Sequence, residues 1–132
     1  MKTPQFLELD EVLAVHADQV ARYGGTGGIR DVGLLQSALG MPKASFDGQF
    51  LHPSLPEMAG AYLFHLVMNH PFIDGNKRVG LAAAIAFLGM NDLWLEAGEE
   101  ELTSFVLGVA RGELQKADVA VFIRQRCTAF TS

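Results

Sequence analysis

The chain has 132 residues, of which 49% are hydrophobic and 19% are charged, a balance that predicts one globular domain over residues 1–132 and excludes an intrinsically disordered protein. Fifteen Asp and Glu against ten Lys and Arg give a formal net charge of −5, which argues against direct binding to nucleic acid, because such domains carry a basic surface. The single cysteine, Cys127, excludes an intramolecular disulfide framework.

Two helices are predicted before residue 43. An apolar stripe at helical spacing indicates the first helix, which ends at Gly24 and Gly25. The stripe consists of Leu9, Val12, Leu13, His16 and Val20. Asp31 is placed to cap the second helix, which Pro42 stops. The glycine-rich residues 24–28 are interpreted as a helix terminator and not as a phosphate cradle, because no strand precedes them and no phosphate-loop pattern fits.

The centre of the chain is predicted to form two packed helices. Ser54 and Glu57 have the spacing of a capping box, which starts a third helix that runs to about Asn69. Residues 79–90 are the longest apolar run, and they indicate a second central helix because they are shorter than the roughly 20 residues that cross a bilayer. No apolar signal region forms before Glu8, so we expect a cytoplasmic protein without membrane contact.

The remaining elements complete a helical bundle. Three consecutive acids from Glu99 favour the start of a fifth helix that ends near Gly112, and a last helix turns Val119 inward. Strand signals occur only at residues 6–9 and 93–95. The sequence therefore predicts an all-α fold. The loop between its two central helices has an unusual composition.

Most of the reactive side-chain types of the chain lie in that loop. It reads His70-Pro71-Phe72-Ile73-Asp74-Gly75-Asn76-Lys77-Arg78. A structural connection of this length needs only ordinary turn residues, so an imidazole, a carboxylate, an amide, an amine and a guanidinium together indicate a binding or catalytic site. The alternative is that Asp74 and Asn76 only cap a helix, while Lys77 and Arg78 are solvated.

The loop has the groups that bind a phosphorylated ligand. The backbone amides of Gly75, Asn76 and Lys77 are expected at the positive end of the following helix, where anions bind. Arg78 adds positive charge beside them. Asp74 fits a divalent ion that bridges it to phosphate oxygens, as carboxylates do with Mg²⁺.

Among the four histidines, His70 is the expected general base, because an imidazole can accept a hydroxyl proton at neutral pH. Phe72 is the expected apolar anchor of the loop. His65 lacks the spacing of a zinc motif and is expected to be a hydrogen-bonded core histidine. His16 and His52 carry no functional signal.

The loop closely resembles the signature of the Fic/Doc (death-on-curing) family, which reads His-Pro-Phe-x-Asp/Glu-Gly-Asn-Gly/Lys-Arg. The resemblance to Doc-type toxins extends over residues 7–123. It includes Arg22-Tyr23-Gly24-Gly25, Gly28-Ile29-Arg30-Asp31, Phe87-Leu88 with Asn91, and residues 108–113. It implies the Fic fold, in which the loop and the helix after it hold ATP and Mg²⁺. It also implies that His70 is the catalytic base, that Asp74 is the metal-side carboxylate, and that phosphate contacts come from Asn76, Lys77 and Arg78.

Position 77 separates two activities within this family. Fic enzymes that transfer AMP usually have glycine there and a second arginine at the position of Leu81, whereas Doc-type toxins have lysine and lack that arginine. Lys77 and Leu81 therefore imply, by resemblance, transfer of the terminal phosphoryl group of ATP to a threonine of elongation factor Tu, which blocks protein synthesis. AMP transfer to a protein hydroxyl is the first alternative, and a catalytically inactive binding module is the second.

The resemblance also implies protein partners. An antitoxin with a disordered inhibitory tail is expected, because the chain has no internal Ser/Thr-x-x-x-Glu-Gly/Asn helix of the kind that silences many Fic proteins. Residues 46–50 are expected to form either a short β flap that aligns a target segment by strand addition or an ordinary turn.

Overall fold

The computed structural model describes residues 3–130, which form six α-helices and four short strands. The helices are α1 (Leu9–Tyr23), α2 (Val32–Gly40), α3 (Leu55–Asn69), α4 (Asn76–Met90), α5 (Glu99–Ala110) and α6 (Lys116–Arg126). The strands are β1 (Ser45–Phe46), β2 (Gln49–Phe50), β3 (Leu93–Leu95) and β4 (Cys127–Ala129). The predicted all-α fold is confirmed, since helices dominate and the strands are short. None of the helices within residues 3–130 is both long and apolar enough to cross a membrane.

Helices α3 and α4 form the centre of the core and approach each other closely at Gly80. A Cβ atom at Gly80 would lie 2.8 Å from Cγ2 of Val67 and 3.2 Å from the carbonyl oxygen of Leu63, so the crossing requires glycine. Helix α6 packs against α3 at Gly60, where a Cβ atom would lie 3.4 Å from the backbone nitrogen of Ala120. The loop between α3 and α4 is therefore held at one end of a tightly packed helix pair.

The third helix starts where the sequence predicts, but its cap differs from a reciprocal capping box. The Ser54 hydroxyl accepts a hydrogen bond from the Glu57 backbone N–H (3.3 Å) and donates one to the Glu57 carboxylate (3.0 Å). That carboxylate also pairs with Arg124 of α6 at 3.2 Å. Glu57 thus joins α3 to α6, and the Ser54 hydroxyl alone caps the helix.

One of the two predicted strands is confirmed and the other is wrong. Residues 93–95 form β3, which pairs antiparallel with β4, so that Trp94 lies opposite Thr128. Residues 6–9 form no strand, because the buried Leu7 donates its backbone N–H to the Tyr62 hydroxyl (2.9 Å) and α1 begins at Leu9. A side chain thus satisfies the backbone donor that a strand partner would otherwise take.

Residues 45–50 form a hairpin in which β1 pairs with β2. Its turn residues, Asp47 and Gly48, have φ of 53° and 78°, the two positive values of a type I′ turn. The segment expected to be a flap or a turn is therefore a short hairpin. Its Phe46 side chain is 77% exposed.

Candidate active site

Helix α3 ends at Asn69, and the next residue, His70, adopts a left-handed backbone conformation (φ 49°, ψ 54°) that is uncommon for a residue other than glycine. Arg30 stabilises this end of the helix. Its Nε donates to the His70 carbonyl (2.6 Å) and its Nη2 donates to the Asn69 carbonyl (2.9 Å). The guanidinium thereby satisfies carbonyl groups that the helix end leaves free, and His70 is exposed at the rim of the loop.

The connection between α1 and α2 (residues 24–31) runs alongside the loop and is hydrogen bonded to it. The Arg30 N–H donates to the Pro71 carbonyl (2.7 Å), and the Ile73 N–H donates to the Gly28 carbonyl (3.1 Å). Between these bonds the Phe72 side chain is only 1% exposed. The loop is therefore held on two sides, by the buried Phe72 ring and by a neighbouring segment of backbone.

Asp74 is an exposed carboxylate whose two oxygens are both oriented by backbone amides. Its Oδ2 accepts from the Thr26 N–H (3.2 Å) and its Oδ1 accepts from the Gly75 N–H (2.8 Å). These hydrogen bonds lower the pKa of Asp74 below its usual range, and the nearby Arg78 and Lys77 charges lower it further. The carboxylate is therefore ionised and its direction is fixed.

The Asp74 carboxylate fits Mg²⁺ better than it fits a metal that is bound by three or more protein side chains. Within residues 3–130 no cluster of three or more His, Cys, Asp or Glu side chains could hold a metal ion. Mg²⁺ is commonly bound through one or two carboxylates together with water and substrate phosphate oxygens. Asp74 can supply the carboxylate for such an arrangement.

The Asn76 side chain is buried, at 6% exposure, and bonds inside the loop. Its Oδ1 accepts from the Phe72 N–H (2.9 Å), and its Nδ2 donates to the Phe72 carbonyl (3.0 Å) and lies 3.2 Å from Nδ1 of His70. While these bonds persist, the phosphate contact predicted for Asn76 can be made only by its backbone N–H. The side chain braces the loop and contacts the imidazole.

The N-terminus of α4, beside Asp74 and His70, has backbone N–H groups that no side chain caps. The helix begins after Gly75 (φ 80°), and no side chain caps its first turn. The backbone N–H groups of Asn76, Lys77 and Arg78 lie in that turn, and the Lys77 and Arg78 side chains are exposed beside it. The Gly75 N–H, which was predicted to join the anion site, instead donates to Oδ1 of Asp74. Open amides, the helix dipole and two cations together could attract an anion.

A groove beside the loop lies between α1, α4 and α5. It contains two adjoining pockets of about 460 and 360 Å³. The two pockets share Tyr23, Arg78, Leu81, Glu99 and Thr103. The Arg78 guanidinium lies 5.3 Å from the centre of the Tyr23 ring, a cation–π contact that turns it along the groove. A larger pocket of about 680 Å³ lies at the opposite ends of α3 and α4, near Met58 and Met90, and is separate from the loop.

His16 contacts the loop, although its sequence context gave no functional signal. Its Nε2 lies 2.8 Å from the Asp74 carbonyl oxygen, and its ring stacks on Phe72 with centroids 3.8 Å apart. The residue belongs to the apolar stripe of α1, where a histidine is easily read as part of the core. The sequence does offer one signal for a contact outside α1. A buried imidazole requires a hydrogen-bond partner, and α1 itself does not supply one.

The other histidines lie outside the loop. Nε2 of His65 lies 3.1 Å from Nζ of Lys116, so His65 is hydrogen bonded as expected, although it is half-buried and not part of the core. Burial, and then the Lys116 charge, lower the pKa of His65 to about 4. Nδ1 of His52 is buried without a hydrogen-bond partner in the described part of the chain, and burial lowers its pKa as well.

Acidification should therefore destabilise the protein through His65. Between pH 6.5 and pH 4 the unfolded chain binds a proton at this position and the folded chain does not, so stability falls as pH falls through that window. We expect the free energy of unfolding to drop by roughly 1 kcal/mol between pH 7 and pH 5, after allowance for solvent screening of a partly exposed ring. Urea unfolding of wild type and His65→Gln at both pH values measures this drop. Equal pH dependence in the two proteins would contradict it.

The loop lies within the part of the chain that matches a known protein family. Residues 6–88 match the model of a family described as the Fic/DOC family. Toxin Doc of Mycolicibacterium smegmatis (strain ATCC 700084 / mc(2)155) is 40% identical over 93 residues, which cover 70% of this chain and 69% of that protein. Protein kinase doc of Escherichia phage P1 is 31% identical over 116 residues, which cover 88% of this chain and 90% of that protein. The family match includes the whole loop and the α1–α2 connection.

Proposed function

Because the chain belongs to the Fic/DOC family, we propose that it is a Doc-type toxin that transfers the terminal phosphoryl group of ATP to a hydroxyl of a translation factor resembling elongation factor Tu. One observation carries the proposal: a single loop brings together an exposed imidazole, an oriented and ionised carboxylate, and the open N-terminus of a helix. The similarity to a protein named Toxin Doc and to one named Protein kinase doc supports it.

The proposed reaction assigns a separate task to each group. The α4 amides, Lys77 and Arg78 would hold the phosphates, and Asp74 would hold Mg²⁺, which would supply positive charge to neutralise the phosphate oxygens. The acceptor oxygen forms a bond to the terminal phosphorus while the bond from that phosphorus to the bridging oxygen breaks, and ADP leaves. The proton of the acceptor hydroxyl passes to His70.

The contact between His70 and Asn76 places a condition on this step. Asn76 Nδ2 is a donor, so a neutral His70 that accepts from it at Nδ1 carries its proton on Nε2. Base catalysis therefore requires the exposed imidazole to turn away from Asn76 when the target binds, which frees a nitrogen lone pair for the hydroxyl proton. The 3.2 Å separation and the exposure of His70 are compatible with this rotation.

Lys77 supports phosphoryl transfer over AMP transfer. A lysine places its stem and a point positive charge beside the amides of α4, whereas a glycine would leave that space open for the inner phosphates. Leu81, one turn further along α4, cannot supply a second guanidinium. We therefore propose that ATP binds with its terminal phosphate toward the acceptor hydroxyl.

Labelled ATP distinguishes these two reactions. The protein is incubated with Mg²⁺ and elongation factor Tu, with ATP labelled at the α or the γ phosphorus. We expect γ label alone on the target, and we expect Lys77→Gly to lower the rate of γ transfer at least tenfold, because it removes a charge beside the transferred group. Lys43→Gly, which removes an exposed lysine from a pocket that contains no residue of the loop, is the matched control. An α label on the target would replace the proposal with AMP transfer, and no label would favour a binding module.

A toxin of this kind requires a partner that silences it, and the name of the relative Toxin Doc supports such a pairing. We propose an antitoxin whose disordered tail folds onto the groove between α1, α4 and α5, where Tyr23 and Ile85 are 61% and 42% exposed. We expect the protein to act in the cytoplasm, where ATP and translation factors are present. Purified chain that is inert alone and active only with its partner would contradict this assignment.

A further inference from the structure

We propose that His16 is a positioning residue that fixes the orientation of the peptide bond between Asp74 and Gly75. The inference rests on the proposed function, because this peptide bond joins the metal-side carboxylate to the anion-binding helix end. Nε2 of His16 lies 2.8 Å from the Asp74 carbonyl oxygen. A carbonyl can only accept a hydrogen bond, so Nε2 carries the imidazole proton.

The packing of the His16 ring fixes the direction of this bond. The ring is only 5% exposed and lies nearly parallel to the Phe72 ring, with an interplanar angle of 8° and centroids 3.8 Å apart. Phe72 is itself 1% exposed and belongs to the same loop. His16 therefore holds the loop through a stacked ring and directs one donor at one carbonyl.

The geometry of the peptide bond transmits this constraint to the site. The C=O and N–H of a trans peptide point in opposite directions, and the described residues contain no cis peptide. With the Asp74 carbonyl turned toward α1, the Gly75 N–H points away from α1 and donates to Oδ1 of Asp74 (2.8 Å). One hydrogen bond from His16 thus determines the position of a backbone donor and, through it, of the carboxylate.

A constraint is needed here because Gly75 gives the peptide little stiffness of its own. Glycine populates positive and negative φ about equally, so the peptide before Gly75 (φ 80°) can rotate at little cost. A rotated peptide would take the N–H from the Asp74 carboxylate and turn a carbonyl oxygen outward, where it would repel phosphate. We infer that His16 keeps this rotated state sparsely populated.

Two substitutions separate the hydrogen bond from the stacked ring. His16→Phe keeps a flat ring against Phe72 and removes the donor, whereas His16→Gln keeps an amide donor and removes the ring. His65→Phe replaces a histidine outside the loop and serves as the control. Each protein is studied well below its own melting temperature, so that loss of folded protein does not contribute.

Direct binding of a non-hydrolysable ATP analogue with Mg²⁺ is the first measurement. We expect His16→Phe to weaken binding about tenfold, because it loses a hydrogen bond and this loss also misplaces charged groups. We expect His16→Gln to stay within about threefold of wild type. His65→Phe should match wild type. Unchanged binding by His16→Phe would overturn the inference, and so would equal losses in His16→Phe and His16→Gln, because the donor would then have no specific role.

Nuclear magnetic resonance of the unaltered protein tests the same inference without substitutions and without nucleotide. We expect the His16 imidazole as the Nε2-protonated tautomer and a Gly75 amide protected from hydrogen exchange. An Nδ1-protonated His16 or a freely exchanging Gly75 amide would overturn the inference. If wild-type protein bound no Mg²⁺ nucleotide while both signals were present, the proposed function would fail and the constraint on the peptide would stand.

Discussion

Replacing His70 with alanine should lower the rate of phosphoryl transfer by about 10² to 10⁴-fold, the usual contribution of a general base, and should abolish toxicity. The fold should survive, because the imidazole is exposed and Nδ2 of Asn76 is its hydrogen-bond partner among the described side chains. Arg30 holds His70 through the backbone carbonyl, which every substitution retains. The loss should therefore appear in the chemical step and leave nucleotide binding nearly unchanged.

The left-handed backbone of His70 makes a second variant necessary. Alanine is less tolerant of φ 49° than histidine, whereas asparagine adopts this conformation readily. His70→Asn therefore removes the imidazole and preserves the backbone. Single-turnover rates and melting temperatures of both variants, beside His65→Ala as a control, separate catalysis from folding. A folded His70→Asn protein with full transfer activity would remove His70 from the mechanism.

The loop could be predicted because its chemistry is contiguous in sequence. Residues 70–78 place an imidazole, a carboxylate and a helix N-terminus within one turn, and the Fic/Doc resemblance implies a task for each. The helices could be predicted for a related reason. Their apolar stripes, the Asp31 and Ser54 caps, and the glycines after α1 and α5 are local signals, and the helices begin or end close to them.

The groups that hold the loop could not be predicted in this way, because they come from distant parts of the chain. Arg30 is 40 residues from His70, Thr26 is 48 from Asp74, and His16 is 58 from Asp74. Thr26 and His16 have no signal in their own segments, where they appear as a loop hydroxyl and a core residue, and the resemblance around Arg30 assigns no role to that side chain. Their roles arise only when α1 and the α1–α2 connection fold against the end of α3.

The glycines of the α1–α2 connection have a further role that the sequence did not indicate. They were expected only to end α1, which they do, since Gly24 has φ 83° and its N–H donates to the Val20 carbonyl. Gly25 also faces the site. Its φ is 110°, and a Cβ atom there would lie 2.6 Å from Oδ2 of Asp74. The space that glycine leaves is therefore occupied by the Asp74 carboxylate.

Gly25→Ala should accordingly displace Asp74 and lower the transfer rate by about 10²-fold, the effect expected of an active group misplaced by about 1 Å. Gly24→Ala is the matched control, because Gly24 also has a positive φ but a Cβ atom there would meet nothing within 4 Å. Both substitutions strain the backbone by roughly 1 to 3 kcal/mol, so both should lower the melting temperature. Because Asp74 is the expected magnesium ligand, the Mg²⁺ concentration for half-maximal activity should rise in Gly25→Ala and remain near wild type in Gly24→Ala. Equal Mg²⁺ requirements in the two variants would mean that the space at Gly25 does not position this carboxylate.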